Sequence, residues 1–386
     1  MTRLFPRIPW HAVSWKNSSF LIATLLLTLT VVPWYLWTHG LSLFQGLLFV
    51  GFFIATGLSI TLGYHRLFSH MSFKASWPVR FGTLFFGAGA FENSAYVWSA
   101  DHRRHHKYVD HEDDPYNINR GFFHAHMGWV MFKLAPEPPI DNVPDLEKDS
   151  LVMWQHRNYV SIAIFASFIL PALIGYAWGG VSEALGAFLL AGVARVVCVQ
   201  HMTFFINSLC HTLGSRPYSS RCTARDSAIM AFFTFGEGYH NFHHEFQHDY
   251  RNGVKPWQFD PTKWSIWCLN KLGLVRGLRR VPAERILLAE VAEKQRQLDE
   301  TLQNRSITLA EQVRVRLHTA HEQLQHATQV WEAKKAEYGR AMEQKLAASR
   351  QRVAALKQEF DQASDRLRAA IDHWHQAHQL ARASMA

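Results

Sequence analysis

Four stretches of this 386-residue chain are almost free of charge: residues 19–37, 41–62, 159–178 and 183–206. Each is close to the roughly 20 apolar residues that a helix needs to cross a bilayer. The first two are separated only by Thr38, His39 and Gly40, and the last two only by Gly179, Gly180, Val181 and Ser182. Links that short make each pair fold back on itself, so the spacing predicts two membrane hairpins. A soluble domain would have to bury all four runs in one core, more than a globular core usually contains. Arg195 lies within the fourth run, where a charge is expected to face the bundle interior or a polar cavity rather than lipid.

Short loops rich in Lys and Arg stay on the cytoplasmic side. Arg3, Arg7 and Lys16 precede the first run, residues 63–157 hold ten more basic side chains, and neither hairpin link holds any. Both termini and the central loop are therefore expected in the cytoplasm. The first run starts too late and is too long for a cleaved signal peptide, and no small-residue cleavage site follows it. The four cysteines, Cys198, Cys210, Cys222 and Cys268, form no close pair. That argues against a disulfide framework, a zinc ribbon or an iron–sulfur site, and fits a reducing compartment.

The expected organisation is an all-α integral membrane protein. A cytoplasmic segment, 1–17, leads into a membrane domain, 18–280, with four transmembrane helices and two cytosolic segments, 63–157 and 207–280. Residues 283–386 differ in kind, being rich in Ala, Gln, Glu, Arg and Lys with no proline and one glycine, Gly339. This composition reads as a long helix or coiled coil. Leu317, Leu324, Trp331 and Tyr338 recur every seven residues, and after Gly339 the stripe resumes one residue out of step at Leu346, Val353, Phe360, Leu367 and Trp374. The stripe must be covered by the tail folding back near Gly339 or by pairing with another chain. Its 16 basic and 14 acidic side chains nearly cancel, so most of the net charge of +9 belongs to the membrane domain.

Among 23 histidines, eight fall into three clusters in the expected cytosolic segments: His65 and His70; His102, His105 and His106; His240, His243 and His244. In the second and third clusters the spacing i, i+3, i+4 puts all three imidazoles on one helical face. In the first, five residues turn about 140° around a regular helix, so convergence needs a helix end or a local distortion. Isolated histidines such as His11, His39, His156, His248 and those of the tail read as ordinary surface or core residues. Imidazole suits Zn, Cu, Fe and Ni alike, and a hydrolytic zinc site needs only about three protein ligands, so eight or more imidazoles imply two metals. His211 is a further candidate, four residues after Asn207, which could hold a metal-bound water.

The ordered motifs His-Arg-Leu-Phe-Ser-His (65–70), Asp-His-Arg-Arg-His-His-Lys-Tyr (101–108), Asp-Asp-Pro-Tyr-Asn (113–117) with Arg120-Gly121-Phe122-Phe123, Asn-Ser-Leu-Cys-His (207–211), Arg216-Pro217-Tyr218 and Gly-Glu-Gly-Tyr-His-Asn-Phe-His-His (236–244) together resemble the membrane-bound acyl-CoA desaturases of the stearoyl-CoA Δ9 type, especially bacterial members. The resemblance covers about residues 15–280 and implies that the four transmembrane helices sit under a cytosolic helical cap (63–157 and 207–280) holding a two-metal site. It implies a di-iron enzyme that removes two hydrogens from an unactivated saturated acyl chain using O₂ and two electrons, in unsaturated fatty acid synthesis at a bacterial inner membrane. It implies that His65, His70, His102, His105, His106, His211, His240, His243 and His244 bind two Fe²⁺ ions, with Asn207 acting through water. Zinc could replace iron as a non-native occupant.

By the same resemblance Glu92, Trp98 and Thr203 line the kink of an acyl tunnel, while Asn93, Asp101 and Lys133 meet the CoA head group. Three departures qualify this. The family usually has glutamine where Glu92 stands, Ala100 and Leu134 replace basic residues of animal members, and Phe204 replaces a tryptophan. Fewer cations weaken phosphate recognition, so acyl carrier protein or a lipid-linked acyl chain stands beside long-chain acyl-CoA as substrate. No His-Pro-Gly-Gly signature of a fused cytochrome b5 is present, so electrons are expected from a separate ferredoxin or cytochrome b5 with its reductase. Membrane lipid is the other expected partner, nucleic acid is not, and the tail could support an oligomer. Competing readings are a related di-iron hydroxylase or monooxygenase, a scaffold with a vestigial site, and a metal transporter. The last would need ionisable ligands inside the membrane runs, whereas these lie at or beyond their ends.

Overall fold

The computed structural model describes residues 10–134, 137–305, 310–343 and 350–385. It is predominantly helical; among the described residues the only sheet is a two-residue antiparallel pair, β1 (Lys74–Ala75) with β2 (Val275–Arg276). The chain divides into two compact units, Met1–Arg216 with Arg221–Arg280, and Pro217–Ser220 with Val281–Ala386.

In the first unit three helical stretches are long and apolar enough to cross a membrane: α1 (Trp15–His39), α2 (Leu43–Ser69) and Tyr159–His211. The last joins two runs that the sequence reading kept apart. Its path nevertheless breaks at Gly179 (φ −152°, ψ 27°) and Gly180 (φ 73°, ψ −154°). Gly180 takes the left-handed φ that side chains resist, and the chain turns back there. A Cβ on Gly175 would lie 2.5 Å from the Glu183 carbonyl, and one on Gly192 would lie 2.9 Å from that of Ser167. The two arms therefore run antiparallel in backbone contact that only glycine permits. Leu26, Leu29 and Trp34 on α1, Leu47 on α2 and Leu173 on the third stretch remain exposed, as an apolar solvent would allow and water would not favour.

The second half of α2, Ser59–Ser69, is wound as a π-helix and is buried throughout. In this winding the backbone bonds span five residues, and the His70 N–H donates to the His65 carbonyl (3.1 Å). Five residues then complete about one turn, which is the distortion that the first histidine pair requires. Ser94 caps α3 (Ala95–Tyr108) by accepting from the Val97 N–H (3.4 Å). A third short helix, α4 (His240–Glu245), is capped by Asp226, whose Oδ1 accepts from the N–H groups of Asn241 (2.8 Å) and Phe242 (3.1 Å). Tyr64, Phe68, Leu84, Val152, Val199 and Ile266 belong to the core that holds these elements together.

The second unit contains α5 (Ala283–Arg305), α6 (Glu311–Glu343) and α7 (Arg350–Ala383). Trp331 Nε1 donates to Ser364 (3.0 Å), Lys334 pairs with Glu359 (2.5 Å) and Gln323 with His373 (2.8 Å), so α6 and α7 run antiparallel. Arg368 meets Glu284 (2.6 Å) and His378 meets the Lys294 carbonyl (3.3 Å), so α5 lies parallel to α7. Leu317, Leu324, Trp331, Leu367 and Trp374 are buried between them, which covers the apolar stripe within the chain. The tail folds back near Gly339, as expected, though beyond the glycine itself: α6 passes through it, because a lone glycine lowers helix stability by only about 1 kcal/mol. Helix α6 is described as far as Glu343, and Leu346 lies outside the described residues.

Candidate metal centre

The nine histidines named above converge from four elements. His65 and His70 come from the π-wound end of α2, His102, His105 and His106 from one face of α3, His211 from the end of the third apolar stretch, and His240, His243 and His244 from α4. They form two groups: His65, His70, His102, His106 and His243, and His105, His211, His240 and His244, the ligand atoms within each group all lying within 4.8 Å of one another. The groups adjoin, with the His106 and His244 rings 4.3 Å apart.

Every close approach is made by Nε2: His65 to His243 at 3.0 Å, His70 to His102 at 2.8 Å, His243 to His106 at 2.9 Å, His105 to His244 at 3.2 Å, and His240 to His211 and to His244 at 3.1 Å. Three of the outward Nδ1 atoms face partners of their own. His65 Nδ1 lies 2.8 Å from Glu237, and His105 Nδ1 lies 2.9 Å from Asp114. His211 Nδ1 meets Thr223 at 2.7 Å, and since the Thr223 hydroxyl donates to Asp110 (2.6 Å) it must accept from the imidazole. Such outer acceptors fix the tautomer that leaves Nε2 free for a metal. Burial, followed by mutual repulsion among the rings, holds His70, His102, His106, His240, His243 and His244 well below the ordinary histidine pKa. These six are neutral donors at neutral pH, and two sets of converging imidazole nitrogens fit a pair of metal ions.

The outer carboxylates are anchored in turn. Burial pushes the Glu237 pKa up, but the charges of Arg66 and His65 outweigh it and the carboxyl is held below its usual range. Arg66 bridges Glu237 (2.8 Å) and Asp260 (3.0 Å), both buried. Asp114 is likewise held low: burial opposes ionisation, while His105 and the N–H groups of Asp110 and Tyr116 favour it. The glycines flanking Glu237 are demanded by space. A Cβ at Gly236 would sit 2.5 Å from Asp260 Oδ1, and one at Gly238 would sit 2.0 Å from the Ala231 nitrogen.

A cavity of about 1050 Å³ opens beside the centre, with His65, His102 and His240 in its wall. Asn207 and all six residues expected to touch substrate, Glu92, Asn93, Trp98, Asp101, Lys133 and Thr203, line it together with apolar groups such as Phe20, Phe91 and Phe168. Trp98 stacks on His102 with ring centres 4.8 Å apart. Both Glu92 carboxyl oxygens are buried without a closed hydrogen bond. Burial, only partly offset by the nearby Thr203 and Trp98, raises the Glu92 pKa to about 8, so the carboxyl is neutral at pH 7. Burial also raises Asp101, to about 7.

Sequence reasoning named the imidazoles but not their supports. Asp114, Glu237 and Arg66 lay inside quoted motifs, where a single charged residue gives no sign of its partner; Thr223, Asp110 and Asp260 carried no local signal. Two histidines read as isolated prove to be framework: His248 bonds the His70 carbonyl (2.9 Å) and His156 bonds Ser94 (2.8 Å).

The family profile described as fatty acid desaturase matches residues 41–265. The chain is 40% identical over 295 residues to a probable acyl-CoA desaturase of Schizosaccharomyces pombe, covering 75% of this chain and 61% of that protein. It is 38% identical to acyl-CoA desaturase 1 of Saccharomyces cerevisiae, covering 75% and 58%, and 34% identical to human stearoyl-CoA desaturase, covering 71% and 76%. It thus spans about three fifths of the length of the two fungal relatives.

Proposed function

Because this chain belongs to the fatty acid desaturase family, we propose that it is an acyl-CoA desaturase that introduces a cis double bond at the Δ9 position of a saturated long-chain acyl group. The observation that carries this reading is the opening of a large, mostly apolar cavity onto the two histidine groups. The relatives' names support an acyl-CoA substrate.

The nine histidines would hold two irons, with Asn207 acting through water. Iron so held, with O₂ and two electrons, supplies the oxidising power that breaking an alkyl C–H bond demands and that side chains lack. The chain's own residues do the rest. Glu237, Asp114 and Thr223 keep the imidazole Nε2 atoms aimed inward, and the apolar wall excludes water from the reacting carbons. Trp98, Thr203 and the neutral Glu92 bend the acyl chain past the centre, which fixes the distance from the carboxyl end to the bond that loses hydrogen. Asn93, Asp101 and Lys133 hold the head group. The third apolar stretch crosses the membrane twice about Gly179 and Gly180, giving four spans with both termini on the cytoplasmic side. Electrons come from a separate ferredoxin or cytochrome b5 with its reductase.

The test is expression in cells lacking their own desaturase, followed by mass spectrometry of the fatty acids with double-bond localisation. A new Δ9 monoene is expected; a hydroxy acid would assign the protein to hydroxylation instead. The purified protein should bind two metal ions, and His105→Ala or His243→Ala should abolish the product. Zinc in both positions should give an inactive form, because zinc has no redox chemistry.

A further inference from the structure

Between the helix Trp77–Ala88 and α3 the chain crosses the cavity wall in residues 89–94, two of which adopt the left-handed region: Phe91 (φ 56°) and Asn93 (φ 79°). For a bulky residue such as Phe this is an outlier that the surroundings must enforce. The enforcing groups reach in from the membrane-spanning side. Ser167 Oγ (2.8 Å) and Arg195 Nη1 (2.6 Å) both donate to the Gly89 carbonyl, and Gln200 Nε2 donates to the Phe91 carbonyl (3.2 Å). The Asn93 N–H donates to the Tyr159 hydroxyl (3.0 Å). A Cβ at Gly89 would lie 3.0 Å from Ser167 Oγ, so glycine is what lets these donors close on the backbone. Held this way, the Phe91 ring packs 4.6 Å from Phe20 and 5.4 Å from Phe168, and all three rings line the cavity beside Glu92.

Arg195 and Ser167 are not themselves in the cavity wall. Arg195 is fully buried, its Nε is used on the Ala191 carbonyl within its own helix (3.0 Å), and among the described residues no carboxylate pairs with it. A guanidinium inside an apolar stretch is costly, and among the described residues its one hydrogen bond beyond its own helix turn goes to Gly89. We propose that Arg195, with Ser167, is a positioning residue that sets which acyl chain lengths are accepted, by latching Gly89 and so fixing Phe91 and Glu92 in the cavity wall. This rests on the acyl-chain reading of the cavity.

The test compares the full-length wild type with Arg195→Met and Arg195→Lys in membranes, using saturated acyl-CoA substrates of graded length and scoring both product and bound metal. Arg195→Met should keep two metal ions but change the ratio of kcat/KM between neighbouring chain lengths by about tenfold, mainly through KM, a size typical of small changes in pocket fit. Arg195→Lys, which keeps a donor, should restore most of the wild-type ratio. An unchanged ratio in Arg195→Met overturns the proposal, and so does a loss of metal, which would mean that Arg195 supports the centre rather than the tunnel. Should Arg195→Met fail to accumulate, Ser167→Ala carries the same test with a smaller shift in the same direction, and no shift overturns it. A wild type that yields no unsaturated product at any length overturns the desaturase reading itself, whereas an active wild type with an indifferent Arg195→Met overturns only the latch.

Discussion

Glu92 illustrates how one buried carboxyl couples pH to the cavity. Folded, it keeps its proton until about pH 8, while its ordinary pKa is 4.5. Below about pH 4.5 both folded and unfolded chains hold the proton and stability is unaffected. Between there and about pH 8 only the folded chain holds it, so each pH unit removes up to about 1.4 kcal/mol of stability. Glu92→Gln stays neutral, so its melting temperature should exceed that of the wild type by more at pH 8 than at pH 5. A gap constant with pH would show that the carboxyl is not neutral in the folded protein. The outer carboxylates allow a second comparison. Asp114 serves the four-histidine group and Glu237 the five-histidine group, and loss of such a partner typically weakens metal binding by about 10–100-fold. Asp114→Asn should therefore release one of two metals to a chelator before the other; simultaneous loss of both, or none, would contradict separate support.

At the scale of elements, the same histidine chemistry is carried by two kinds of helix. Regular α-helix brings i, i+3 and i+4 together in α3 and α4, and π winding brings i and i+5 together at the end of α2. The first pattern is visible in a sequence because it needs only the standard period. The second is not, since no local pattern announces the π winding of the buried segment Ser59–Ser69. In the tail the heptad stripe names the buried faces and a fold-back near Gly339, but the helix itself continues past that glycine, with Tyr338 packed on Phe360, ring centres 5.9 Å apart, directly before it. Trp331 is completely buried there, and Trp331→Ala should cost the tail about 3–5 kcal/mol. Limited proteolysis should then cut within residues 311–383 while product formation persists. Loss of product with an intact membrane domain would tie the tail to the chemistry.

For the whole molecule, the two units divide at about residue 280, and both histidine groups lie within the first. A chain ending near Pro282 should keep its activity in membranes, measured as monoene formed per bound metal, while the size of the detergent-solubilised particle or its partner set changes. Inactivity despite normal folding and iron content would show that the second unit is needed. Periodicity and hydropathy alone determined the apolar runs, the helical character and the amphipathic tail, and local spacing picked out the eight clustered histidines, because each is a local pattern that needs no knowledge of what lies across the fold. The supports of the centre are different. Glu237 and Arg66 are 171 residues apart, and Arg66 and Asp260 are 194 apart, so only tertiary packing could pair them. The five-and-four grouping, the cavity beside it and the Arg195 latch on Gly89, 106 residues away, were likewise decided by the fold, since burial in a shared low-dielectric interior is what turns isolated polar residues into obligatory partners.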